Sequence, residues 1–311
     1  MAHPRRFRFA TEVHQPFPGM GWLDTAREVE ALGYSTVFVP DHLDEGPGPI
    51  AALAAFASVT TTLNVGALVL DCDFRHPAVL ARELATVDAL SEGRLEVGLG
   101  AGWKALDYER SGIPMDRPGV RVSRLIEHAA VLRGLWGEGP FSFAGDHYTI
   151  TDMDGTPAPH RPGGPPILVG GGAPRLLRWA GSAADIVGVN ASIHSGEIDQ
   201  DAADDAMAER IDEKVGWVRE GAGDRFADLE LNAWLAAAEI SEDPTLPGAM
   251  AELFGTDEAS FRASPLALVG APGEVAEALH ARRERWGYSY HVIPADKAHD
   301  FAPTVAALTG T

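Results

Sequence analysis

The chain has 311 residues, 45% of them hydrophobic, and 25 Lys and Arg against 45 Asp and Glu give it a formal charge of -20. That charge repels phosphodiester backbones and anionic membranes, so neither nucleic acid nor membrane is expected as a partner, and the longest apolar stretch, Ile50 to Val59, is too short to span a bilayer. A chain of this size can bury about three quarters of its unfolded surface without staples. The single cysteine, Cys72, cannot form an internal disulfide, and no signal-like apolar run follows Arg5, Arg6 and Arg8, so a cytoplasmic location is expected.

Short β-branched or apolar runs alternate with longer segments of helical period, the pattern of successive β/α units around a parallel sheet. In chain order, strands are expected over Phe7 to Val13, Thr36 to Pro40, Asn64 to Leu70, Leu95 to Leu99, Ile167 to Val169, Ile186 to Val189, Leu229 to Trp234, and Ser289 to Ile293. The helices between and after them are expected over Leu23 to Leu32, Ile50 to Thr60, Pro77 to Ser91, Val120 to Trp136, Pro174 to Ala183, Asp204 to Glu220, Glu274 to Trp286, and Phe301 to Leu308. Gly33, Gly93 and Gly287 stand where a helix must close before the next strand. Two stretches break the rhythm, at about 137–166 and 240–265, and are read as insertions, the first carrying a β-hairpin around Ala144-Gly145-Asp146. The pattern predicts an α/β fold: one domain over residues 1–311, a single eight-stranded parallel β/α (TIM) barrel with these insertions.

In such a barrel the active site lies at the C-terminal ends of the strands. That rule selects Glu12 and His14, Asp41 and His42, Asp71 to Asp73, Gly100 to Lys104, Gly170 to Gly172, Asn190 with His194, and finally Trp234 and His291. Asp41-His42 ends a mostly apolar strand. There His42 is a candidate proton donor with Asp41 to orient it, or else Asp41 caps a turn and His42 packs. The segment Gly98 to Gly102 fails as a dinucleotide fingerprint, because Trp103 takes the place of its third glycine; it reads as a tight turn or as one that lets backbone approach a flat ring. Gly170-Gly171-Gly172 before Ala173-Pro174 suits a phosphate cradle at a helix start, or a plain β-to-α turn. His3, His14, His42, His76 and His128 form no recognised ligand spacing, so no metal is expected, and no G-x-S-x-G elbow is present.

These segments together resemble the luciferase-like monooxygenase superfamily, particularly its deazaflavin-dependent branch, from Phe7 to Leu308. The match is carried by Ala31-Leu32-Gly33-Tyr34 leading to Val39-Pro40-Asp41-His42, by Phe74-Arg75-His76-Pro77, and by Leu84 to Arg94 leading to Gly98 to Trp103. The resemblance implies an oxidoreductase using 8-hydroxy-5-deazaflavin (coenzyme F-420), or alternatively reduced FMN in a monooxygenase supplied by a separate reductase. It implies a phosphate near Gly170, Gly171 and Gly172, and a ring near Asp41, His42, Leu68, Val69, Gly100, Ala101, Gly102 and Asn190, with a non-prolyl cis peptide at Leu68-Val69. On the same reading His42 is catalytic, Glu12, Trp103 and Trp234 face a small organic substrate, and the protein is a homodimer. Trp103 replaces the acidic residue of the branch's sugar-phosphate dehydrogenases, which implies an apolar wall and a hydrophobic substrate. A non-catalytic flavin-binding protein is the alternative from another class.

Overall fold

The computed structural model describes residues 4–193, 196 and 199–311. His3 and His194 lie outside the described residues. Its strands are β1 (Arg8–Glu12), β2 (Thr36–Val39), β3 (Asn64–Asp71), β4 (Leu95–Gly100), β5 (Phe141–Ala144), β6 (Thr149–Met153), β7 (Ile167–Gly171), β8 (Ile186–Val189), β9 (Glu230–Trp234), β10 (Ala237–Ile240), β11 (Ala267–Gly270) and β12 (Tyr288–Pro294). Eight of them close a barrel in the order β1-β12-β9-β8-β7-β4-β3-β2, and every pairing within it is parallel. The eight strands expected from the apolar runs are these eight, with no end moved by more than two residues.

The helices are α1 (Trp22–Ala31), α2 (Pro49–Val59), α3 (Pro77–Leu90), α4 (Ala105–Ser111), α5 (Pro118–Leu135), α6 (Pro174–Ala183), α7 (Gln200–Asp204), α8 (Ala208–Ala222), α9 (Leu246–Leu253), α10 (Glu258–Ala263), α11 (Pro272–Trp286) and α12 (Ala298–Leu308). Gly287 closes α11 in the left-handed region at φ 91°, where a side chain would be strained. Two departures matter. The helix expected from Asp204 to Glu220 starts only at Ala208 and is preceded by the short α7; between the two, the Asp205 carboxylate accepts the Ser192 N–H and pairs with Lys214. The second is α4, which no apolar period announces.

Side-chain size grades along the barrel axis, since alternate residues of each strand point inward. At the N-terminal end Arg8, Glu96, Glu230 and Tyr290 fill the interior with a charged plug. Above it lie Ala10, Phe38, Leu168, Ile186 and Val292. At the C-terminal end the inward positions of β4, β7 and β8 are Gly98, Gly100, Gly170 and Gly188, so the interior opens there. A register shift between Ala67 and Leu70 bulges β3 inward, and Leu68-Val69 is a cis peptide. A Cβ on Gly98 would lie 2.0 Å from the Ala67 carbonyl and one on Gly100 2.5 Å from Val69 Cγ2, so β4 needs glycine to admit the bulge.

The first extra segment forms the antiparallel hairpin β5–β6. The second runs from β10 to β11, which pair in parallel, and α9 and α10 between them share a small cluster of Ala237, Ala251, Phe261, Ala267 and Val269. Among the described residues no helix is long and apolar enough to cross a membrane.

Candidate active site

His42 follows β2 and is oriented from an unexpected direction. Its Nδ1 lies 2.7 Å from Asp107 Oδ2, while Asp107 Oδ1 accepts the Leu43 N–H at 3.0 Å. Asp107 belongs to α4 and its side chain is only 4% exposed. A carboxylate oxygen accepts, so Nδ1 is the donor of this pair and Nε2 is left for another partner. The Trp103 ring stands edge-on to the imidazole, with centroids 5.4 Å apart, which limits its rotation.

Asp41 does not orient His42. Its carboxylate takes both terminal nitrogens of Arg75, at 2.6 and 2.9 Å, and the Asp71 N–H at 3.0 Å, and so ties the ends of β2 and β3 together. The next carboxylates along β3 serve a similar purpose. Tyr108, beside Asp107 on α4, donates its hydroxyl to Asp71 and Asp73, and Arg124 pairs with Asp73 and Asp116. Burial pushes the Asp71 carboxyl up to about 6. Asp71, Cys72 and Asp73 place ligand-type atoms within 4.8 Å of one another, but both carboxylates are engaged by these partners and burial pushes the Cys72 thiol up strongly.

On the opposite wall are polar groups with no partner of their own. Asn232 is completely buried, and neither its amide oxygen nor its nitrogen has a hydrogen-bond partner among the described residues; the Asn190 oxygen is in the same position. A Cβ on Gly188 would sit 3.5 Å from both amides, and one on Gly170 would meet nothing nearer than Val69 and Asn190 at 3.8 and 3.9 Å. Val69, Gly170, Gly188, Asn190 and Asn232 therefore cluster at the glycine-lined end of the barrel interior. Buried amides left unpaired are costly, and a site walled by them fits a ligand bearing complementary polar edges. A flavin or deazaflavin ring has such edges, so these residues fit the group that the sequence resemblance implies.

The other glycines have packing reasons. A Cβ on Gly171 would strike Leu176 at 2.4 Å, one on Gly172 the Asn190 carbonyl at 2.5 Å, and one on Gly102 the Tyr108 hydroxyl at 1.8 Å. Arg121 donates to the Ala101 and Gly102 carbonyls and holds that turn from α5. Helix α6 begins at Pro174 with no side-chain cap, so its first amides remain available to an anion. The completely buried Lys214 donates to the Asn190 carbonyl at 2.8 Å and pairs with Asp205, which fixes the loop after β8. Sequence reasoning missed Lys214 and Asp107; the only trace of either is a charged residue inside a helical segment.

Trp234 donates its indole N–H to Glu12 at 2.8 Å, which brings two of the expected substrate residues together. His14 lies 3.4 Å from Glu12 and 3.2 Å from Glu45. The hydrogen bond to Glu12, with Glu45 adding to it against partial burial, raises His14 to about 8. Its folded value exceeds the ordinary 6.5, so the contact stabilises the mouth fully below that value and is lost as pH rises through about 8. An NMR titration is expected to give His14 a midpoint near 8, falling toward 6.5 in Glu45→Gln. A wild-type midpoint at 6.5 would remove the contact from solution.

His291 is a correction to the expected ring. It faces outward from β12 and packs against Phe7, Phe9 and Tyr288. Complete burial lowers it to about 3, so it stays neutral and away from the barrel interior.

A closed parallel barrel whose C-terminal mouth carries a carboxylate-oriented histidine together with a cluster of buried amides has the build of a β/α-barrel enzyme. The chain belongs to the luciferase-like monooxygenase family, whose model matches residues 7–198. It is 32% identical over 171 residues to the F420-dependent glucose-6-phosphate dehydrogenase of Amycolatopsis mediterranei, covering 52% of this chain and 51% of that one. The chain thus spans about half the length of the curated relatives of this kind. In fold it resembles the coenzyme F420-dependent tetrahydromethanopterin reductase from Methanopyrus kandleri, with a TM-score of 0.76 at 18% identity over 97% of this chain and 99% of that chain. It also resembles the oxygenating constituent of the 3,6-diketocamphane monooxygenase of Pseudomonas putida in complex with FMN, with a TM-score of 0.66 at 18% identity over 97% and 96% of the two chains.

Proposed function

We propose that the chain is a deazaflavin-dependent oxidoreductase that transfers a hydride between 8-hydroxy-5-deazaflavin and an organic substrate, with His42 holding the accompanying proton. The observation that carries this reading is the His42–Asp107 pair at the rim of a barrel interior whose buried amides lack partners. Val69, Gly170, Asn190 and Asn232 would hold the ring, and the start of α6 would receive a phosphate. When bound, the deazaflavin supplies hydride exchange without oxygen. His42 Nε2 takes the proton of a substrate hydroxyl on oxidation, or returns one to a carbonyl oxygen on reduction. Trp103 and Trp234 exclude water from the reacting carbon. A homodimer belongs to the same proposal.

The second reading is a monooxygenase that uses reduced FMN from a separate reductase, and its support is the fold likeness to an FMN-bound monooxygenase. Fluorescence titration with 8-hydroxy-5-deazaflavin and with oxidised and reduced FMN separates the two. Selective deazaflavin binding is expected. Selective binding of reduced FMN, with oxygen consumed in turnover, supports the second reading, and binding of neither overturns both.

A further inference from the structure

We propose that this site takes an uncharged substrate and rejects phosphate esters, because Lys104, at its mouth, is already held by carboxylates. The proposal rests on the oxidoreductase reading and concerns the mouth of the same site.

Lys104 directly follows Trp103, whose ring meets His42. Its ammonium lies 2.6 Å from Asp44 and 3.3 Å from Glu45, on the loop after β2. Glu45 also meets His14, which meets Glu12. The line Lys104–Glu45–His14–Glu12 thus crosses the mouth from β4 to β1, and with Asp44 and with Arg110, whose guanidinium lies 3.9 Å from Asp44, it holds three cations against three carboxylates. Arg75, after β3, is held in a two-pronged pair by Asp41. A phosphate dianion entering here would have to break an ion pair to reach one of these cations, within a chain of formal charge -20. An uncharged body meets instead the two indoles of Trp103 and Trp234.

The test compares ligands that differ only in the phosphate. Calorimetric titration of the deazaflavin-loaded protein with glucose and with glucose 6-phosphate is expected to show no gain from the phosphate. In the double variant Asp44→Asn, Glu45→Gln, Lys104 is released together with Arg110, and the phosphate is expected to improve binding by about tenfold or more, the scale of a hydrogen bond to a charged group. Both substituted residues lie in a surface loop with side chains 28% and 41% exposed, so the fold does not depend on them. Tighter wild-type binding of glucose 6-phosphate than of glucose overturns the proposal whatever the variant does. A double variant that gains nothing from the phosphate overturns it too. Cofactor binding is measured first and separately by fluorescence, so loss of the oxidoreductase reading registers there, and the same ligand titrations then run on the protein alone.

Discussion

Asp107→Asn is expected to lower turnover by about 10²-fold, the cost of misplacing a reacting group, with cofactor affinity close to that of the wild type. The reasoning starts from the two oxygens of Asp107. One accepts the Leu43 N–H and the other holds His42 Nδ1. Asparagine keeps an oxygen for Leu43 but can turn its NH₂ toward the imidazole, which favours the tautomer with the proton on Nε2 and disables it as an acceptor. Asp107→Ala removes both contacts, so it is expected to lose turnover and also to lower Tm. His42→Ala is expected to cost about 10²- to 10⁴-fold in turnover, the usual range for general acid–base catalysis. The checks are kcat, the cofactor Kd by fluorescence, and thermal melting of all three variants. Partial recovery in Asp107→Glu, which restores a carboxylate, marks a positioning role rather than mere folding support. Wild-type kcat in Asp107→Asn would take the pair out of the mechanism.

This pair also shows where reading from sequence stops. The eight barrel strands were legible because each is a short apolar run, and helix-closing glycines such as Gly33 and Gly287 separate them. His42 was legible from its position at a strand end. Asp107 was not, since α4 spans seven residues, Ala-Leu-Asp-Tyr-Glu-Arg-Ser, too few and too polar to show an apolar face. The nearest acid in the chain, Asp41, was expected as the partner, yet local adjacency counted for less than the demand of Arg75 and the Asp71 amide for a buried carboxylate. Strand alternation takes His291 away from the rim: Tyr290 and Val292 point into the barrel, so His291 points out. The β10–β11 pairing joins strands some thirty residues apart, and no local pattern encodes it.

Arg8→Met is expected to destabilise the fold by about 3–5 kcal/mol, the scale for breaking a buried ion pair by removing one partner. Arg8 donates to both Glu230 oxygens, at 2.7 and 2.6 Å, pairs with Glu96, and stacks 3.5 Å above the Tyr290 ring centroid. The Glu96 side chain is 4% exposed and also accepts from Tyr290, Thr36 and Asn64, so it cannot turn to solvent when the guanidinium is gone. Methionine fills much of the arginine volume, so the loss measures charge more than cavity. The double variant Arg8→Met, Glu96→Gln removes the stranded charge and is expected to recover a large part of the stability, giving a strong coupling in a double-mutant cycle followed by urea denaturation. A single-variant cost below about 1 kcal/mol would mean that the pair behaves like an exposed one. The plug lies at the opposite end of the barrel from His42, so these losses should appear in stability with kcat per folded molecule unchanged. The barrel thereby keeps its charged floor separate from the glycine-lined mouth that carries the proposed site.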